Sequence, residues 1–159
     1  TDDIEVALRY RDERFAYGDM YEDIRTIERS LHRLIREALE AEYGSDSWWR
    51  EGVPQSIRVR CVTRREEDDD PVNDPYAYTD LLDLSKIAEK EWKVVGSKLP
   101  KDVATNRKVF VAHLEKLNRI RRMVMHPVRG PSPAEDDFQF VHMLKGKLGF
   151  LGKRSDTPK

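Results

Sequence analysis

Apolar residues recur at alternating steps of four and three through Met20, Ile24, Ile27, Leu31, Leu34 and Ala38, with Ile35 and Leu39 widening the stripe. That period puts them on one side of a helix and predicts one over residues 20–43. Asp19 is its expected N-cap and Gly44 its expected stop. Arg25, Arg29, Arg33 and Arg36 fall off the stripe among Glu28, Glu37 and Glu40, which reads as a solvated, ion-paired face. Ile4, Ala7, Leu8 and Phe15 keep only a loose helical spacing. Residues 1–18 therefore read as either a leading helix or the end of a linker.

Beyond Gly44 the chain runs Trp48-Trp49-Arg50-Glu51-Gly52-Val53-Pro54. Two adjacent tryptophans cannot both face one helix core. One is expected inside and the other over a seam or interface, with base stacking as the functional alternative. Pro54 is expected at N1 of a further helix that turns Ile57 and Cys61 inward. That helix gives way to the acidic run Glu66-Glu67-Asp68-Asp69-Asp70, and Pro71-Val72-Asn73-Asp74-Pro75 is a loop by composition. The acidic run lacks the glycine turn of a calcium loop and reads as solvated. Leu81, Leu84, Ala88, Trp92 and Val95 mark one or two short helices over 78–95, and a connector follows from Gly96 to Thr105. A helix over about 106–126, capped by Thr105 or Asp102, buries Phe110, Leu117, Ile120 and Val124. The last helix opens on Ser132-Pro133-Ala134-Glu135, read as cap, N1 proline and reciprocal glutamate, and buries Phe138, Val141, Leu144 and Leu148. The chain shows no period-two strand pattern, repeat or glycine-rich phosphate loop. The expected fold is all-α, a single bundle of about five to six helices without a sheet, over residues 19–150. Residues 151–159 read as a disordered tail.

Composition agrees with that class. At 159 residues, 37% charged and 38% hydrophobic, the chain suits one helix-rich domain with a real core. Its net charge of −1 exerts no global pull on nucleic acid, yet residues 101–130 hold eight basic residues against two acidic, a net of +6. The single Cys61 excludes an internal disulfide and a thiolate zinc site, which points to a reducing compartment such as the cytoplasm. No run reaches the length of a membrane span and no signal peptide is visible. No metal or cofactor is expected. Thr1 in place of methionine points to a piece of a longer protein, whose other domains would bear on function.

The basic excess concentrates in Leu117-Asn118-Arg119-Ile120-Arg121-Arg122-Met123-Val124-Met125-His126-Pro127. At about 100° per residue, Glu115, Arg119, Arg122 and His126 share one polar face, with Asn118, Arg121 and Met125 as a flanking row. Guanidinium groups hold phosphates, and an imidazole moves protons near neutral pH. In metal-independent RNA cleavage a base takes the 2′-hydroxyl proton while cations stabilise charge on the phosphate; this set contains both. The same residues also suit an ordinary salt-bridged helix end. Spacing alone does not choose, because Arg25 with His32 and Arg107 with His113 also place an arginine shortly before a histidine. His113 lies by the Phe110/Leu117 stripe and reads as a satisfied core histidine. His32 and His142 carry no functional expectation.

Arg121 and His126, an Arg-x4-His arrangement late in a bundle helix and before Pro127, resemble the signature of the HEPN superfamily (higher eukaryotes and prokaryotes nucleotide-binding domains). Glu42-Tyr43-Gly44, Trp48-Trp49, Gly52-Val53-Pro54 with Arg58, the acidic segment and Leu117-Asn118-x-Ile120-Arg121 are similar to one branch of it. That branch is found in nuclear mRNA quality-control endonucleases and in prokaryotic proteins of conflict and defence. The resemblance spans about residues 20–149. It implies an all-α, dimeric RNase in which two motifs meet across the dimer as one metal-independent site. Arg121 would bind or orient phosphate and His126 would act as acid-base, with Arg119 and Arg122 as further phosphate contacts and Asn118 in support. The residue after the motif arginine, commonly asparagine, is Arg122 here. It either strengthens phosphate binding or removes a hydrogen bond that orients His126.

Three functions are expected on this footing. One is an RNA-directed endoribonuclease or toxin-like defence effector, acting as a homodimer. The second is a catalytically silent HEPN module for dimerisation or RNA binding inside a larger defence or RNA-processing protein. The third is a toxin neutralised by a nucleotidyltransferase antitoxin. Arg121 and His126 diverge by about 140° around one helix, and a composite dimer site would reconcile that projection with the motif.

Overall fold

The computed structural model describes the backbone of residues 2–148 and the side chains of residues 18–148. The described residues form helices and connecting turns with no strand: α1 (Asp2–Tyr43), α2 (Trp48–Gly52), α3 (Gln55–Glu67), α4 (Leu81–Lys90), α5 (Trp92–Val95), α6 (Arg107–Met125) and α7 (Glu135–Leu148). Short 3₁₀ turns at Pro75–Tyr78 and Gly96–Lys98 precede α4 and follow α5. The fold is all-α, and the expected tail over 151–159 lies outside the described residues.

α1 is the spine, packing against α2, α4, α5, α6 and α7. Its stripe does this: Met20, Ile24, Ile27, Leu31, Ile35, Ala38 and Leu39 are all buried, each large one contributing roughly 1.5–3 kcal/mol. The helix does not start at Asp19. It runs unbroken from Asp2, because no proline interrupts residues 2–19 and good helix formers carry it past Gly18. Residues 2–18 are helical and continuous with the rest of α1. Gly44 ends α1 as expected, at φ +87°, with its N–H on the Glu40 carbonyl at 2.8 Å.

Trp48 is 6% exposed and Trp49 half-buried, and both meet the buried Tyr76 ring edge-on. Trp48 therefore has no open face for a base. Tyr76 is in turn latched to α1: its hydroxyl donates to the His32 carbonyl at 2.6 Å, and the His32 ring stacks on it at 3.9 Å. Gly52 packs so tightly on Leu39 that a Cβ there would lie 2.9 Å from Leu39 Cδ2.

Three further expected helix starts shift. Pro54, at φ −57° and ψ 143°, is the N-cap of α3 rather than N1, its extended ψ placing it outside the helix. Asn106, not Thr105 or Asp102, caps α6, its side chain accepting from Val109 N–H at 2.9 Å. α7 opens after Ala134, because Asp137 rather than Glu135 reaches back, accepting the Ala134 N–H at 2.9 Å. Ser132 is left in the irregular segment before the helix. In α6 and α7 the core takes Leu114 and Phe140 fully, whereas Val124 and Phe138 are only partly buried.

α3 is tied to α4 by charge. Asp83, with no exposed side-chain surface, receives Arg60 Nη2 at 2.7 Å and Arg64 Nη1 at 2.6 Å. It also closes a reciprocal capping box with Asp80.

Candidate functional site

α6 ends because Pro127 follows His126. A residue before proline is disfavoured in the helical region, and His126 sits at φ −132°, ψ 66°. Its N–H still donates to the Arg122 carbonyl at 3.0 Å, while its own carbonyl accepts Arg129 N–H at 3.1 Å. The chain therefore turns back at once and brings Arg129 to the helix end.

Arg119, Arg122, Met123 and His126 line one open groove of about 550 Å³, closed on its other side by Arg129 to Ser132 and by Asp137. Arg119, Arg122, His126 and Arg129 are all exposed. Among the described residues none pairs with Arg119, Arg122 or Arg129, and none hydrogen-bonds the His126 ring. Asp137 is the carboxylate in the lining, and it is engaged at the start of α7. The helical projection thus places Arg119, Arg122 and His126 together. Glu115 is exposed but outside the groove, and Asn118 is half-buried and also outside it.

Arg121 goes elsewhere. Its Nε lies 2.8 Å from Glu28 Oε1 on α1, a half-buried ion pair. Glu28 is thus an exception to the solvated face expected of α1. Burial pushes its carboxyl above the ordinary range, and the charge of Arg121 only partly offsets this. Within the chain the Arg-x4-His residues therefore serve different neighbours, as the rotation of about 140° requires.

The remaining candidates are structural. His113 Nδ1 lies 2.8 Å from the Val103 carbonyl, the satisfied histidine expected there. His32 lies 2.9 Å from the Tyr76 carbonyl through Nε2, and burial lowers its pKa despite that bond. Burial pushes the Cys61 thiol up to about 11, far from the thiolate a nucleophile needs. The acidic loop is organised by Asp68, which accepts Asp70 N–H at 3.0 Å and the Tyr78 hydroxyl at 2.7 Å.

Arg129 is the basic groove residue that sequence reasoning missed, and Asp137 the acidic one. The signal for Arg129 was the turn composition of Pro127-Val128-Arg129-Gly130-Pro131, which folds the next arginine back onto the helix end. Among the described residues no helix is long and apolar enough to cross a membrane. No protein-family model, curated protein or solved structure matches the chain.

Proposed function

We propose that this domain acts on RNA: the α6 groove grips the strand by its phosphates, and His126 is the acid-base of a metal-independent cleavage. The observation that carries this reading is the gathering of Arg119, Arg122, Arg129 and the His126 imidazole around one open groove, where no described residue ion-pairs with the arginines and the lining carboxylate, Asp137, is bonded to the Ala134 N–H. Clustered guanidiniums repel one another, and a polyanion relieves that repulsion while gaining charge-assisted hydrogen bonds.

The chemistry is a transesterification. His126 takes the 2′-hydroxyl proton, and the 2′ oxygen attacks the adjacent phosphorus. The bond to the 5′ oxygen breaks and that oxygen takes a proton from the protonated imidazole of a second copy of the chain, leaving a 2′,3′-cyclic phosphate and a 5′-hydroxyl end. The arginines stabilise the charge that builds on phosphorus-bound oxygens. One imidazole serves one of the two proton transfers, so the active unit is a homodimer, in line with the HEPN resemblance. Val128, 97% exposed, and Met125, 42% exposed, flank His126 and offer apolar surface for a second copy. The unpaired, buried Cys61 suits a reducing cytoplasm. Fused domains or an antitoxin are the further partners of this reading.

A second reading, RNA binding without cleavage, is favoured by the Arg121–Glu28 ion pair, which commits the motif arginine away from His126. Labelled RNA incubated in EDTA with wild type and His126→Ala separates the two. Cleavage that persists in chelator and falls by about 10²-fold or more in the variant is expected. A wild-type dimer that binds RNA and leaves it intact contradicts cleavage and selects the second reading.

A further inference from the structure

α1 borders a second open cavity, of about 380 Å³, lined by residues other than those of the α6 groove. Glu28, Arg29, His32 and Arg33 reach it from α1, Thr79 and Asp80 from the start of α4, and Leu81 and Leu84 form its buried apolar wall. Its size is within the range of small-ligand sites, about 300–1,000 Å³.

Its polar groups divide into satisfied and unsatisfied ones. His32 and Thr79 both bond the Tyr76 carbonyl, each at 2.9 Å. The carboxylates retain capacity. Glu28 Oε1 is buried against Arg121, and no described group bonds Oε2. Asp80 accepts Asp83 N–H at 2.8 Å through Oδ1, while Oδ2 has only Arg64 Nη2 at 3.3 Å, and the side chain is 49% exposed. Arg29 is exposed and pairs with no described residue. Burial raises the Glu28 pKa more than Arg121 lowers it, the behaviour of a carboxylate short of donors.

The cavity therefore offers accepting oxygens from two carboxylates, an apolar wall, and two arginines, of which Arg29 is the exposed one. The ligand these groups fit is flat, carries adjacent N–H donors on one edge, and tolerates a guanidinium on its face. Among the RNA bases guanine has that edge, with N1–H beside the N2 amino group. Uracil presents two carbonyl oxygens around a single N–H and would set lone pairs against carboxylates.

We propose that this cavity is a base-reading subsite that takes guanine from single-stranded RNA, with Glu28 and Asp80 accepting from its N–H edge and Arg29 over its face. The assignment rests on the RNA-directed reading of the domain. It also gives Arg121 a role as a positioning residue: its ion pair holds the Glu28 carboxylate and ties the reading pocket to the helix that bears the phosphate groove.

Amide chemical-shift mapping on the isotope-labelled chain with GMP and with UMP tests this, because the two share a phosphate and differ in the base. GMP is expected to shift the amides of Ala77, Thr79 and Leu81, and UMP to leave them in place. Glu28→Gln and Asp80→Asn are each expected to weaken GMP about ten-fold or more, the scale of one hydrogen bond to a charged acceptor. Asn is itself a good N-cap, so Asp80→Asn keeps α4 in place. Equal shifts from both nucleotides, or none from GMP, overturn the assignment even if RNA still binds through Arg119 and Arg122. GMP-specific shifts in a chain whose RNA binding ignores Arg119→Ala and Arg122→Ala uphold the subsite and overturn the reading of the α6 groove instead.

Discussion

Asp83→Ala deletes a fully buried carboxylate that holds Arg60 at 2.7 Å, Arg64 at 2.6 Å and the Asp80 N–H at 3.1 Å. A hydrogen bond to a charged group contributes about 1.5–3 kcal/mol. Breaking a buried pair costs about 3–5 kcal/mol where the survivor stays buried. Here the survivors do not: Arg60 and Arg64 side chains are 44% and 32% exposed and swing into water. Removing the carboxylate also returns its own desolvation cost. What stays uncompensated is the Asp80 N–H at the start of α4 and the α3–α4 tie. The net cost is about 2–3 kcal/mol, a fall in Tm of roughly 4–12 °C for a chain this size.

The same carboxylate predicts a pH signature. Burial alone would raise its pKa, but the Arg64 hydrogen bond, the Asp80 N–H and the charges of Arg64 and Arg60 outweigh burial and hold it below the ordinary range. A carboxyl with a depressed folded pKa stabilises above its unfolded value, about 3.9, and that contribution is lost as pH falls through the folded value. Urea unfolding of wild type and Asp83→Asn should therefore show a full stability gap at pH 7 and at pH 5. The gap should close below about pH 4. A gap under about 0.5 kcal/mol at pH 7, or one as large at pH 3 as at pH 7, refutes the reasoning.

His32 works over a different window: its lowered folded pKa makes it stabilising above about pH 6.5, with that stability lost as pH falls through the folded value. Urea midpoints of the wild type should decline below that point, and His32→Gln should flatten the decline. Gly52→Ala puts a Cβ 2.9 Å from Leu39 Cδ2, a side chain with no exposed surface, and should cost about 1–3 kcal/mol by calorimetry. Arg121→Ala leaves Glu28 without its ion-pair partner and should cost about 1 kcal/mol, discounted for the 38% exposure of Arg121. It should leave the salt dependence of RNA binding as it was, whereas Arg122→Ala should lower it.

The α1 stripe was legible because side chains that repeat every three to four residues need only a helix to meet one core. The trio Arg119, Arg122 and His126 was legible for the same reason, being set by rotation along one helix. Helix starts were less so. Asp19 and Ser132 are good caps by residue type, but α1 continues through the first, and Asp137 binds the Ala134 N–H beyond the second. Contacts between elements were not legible. Glu28 looked like one more charge on a solvated face until α6 brought Arg121 against it. Asp83 carried no signal of its own in the sequence, and α3 supplies the two arginines that bury it. Arg129 lies past the helix, where the 100° projection of about one residue per step no longer applies.

The central claim, that the α6 groove holds RNA phosphate, is tested most directly by the salt dependence of RNA affinity. Fluorescence anisotropy at several salt concentrations would compare wild type with a chain carrying Arg119→Ala, Arg122→Ala and Arg129→Ala. A control carrying Lys101→Ala, Arg107→Ala and Lys108→Ala removes the same charge from exposed positions away from the groove. Each lost single-strand phosphate contact lowers the slope of log affinity against log salt by about 0.7. The groove variant should lose about 2 from the slope, with its melting unchanged, and the control should lose little. Equal slopes and affinities for the groove variant and the wild type, or equal losses in the groove and control variants, would contradict the claim.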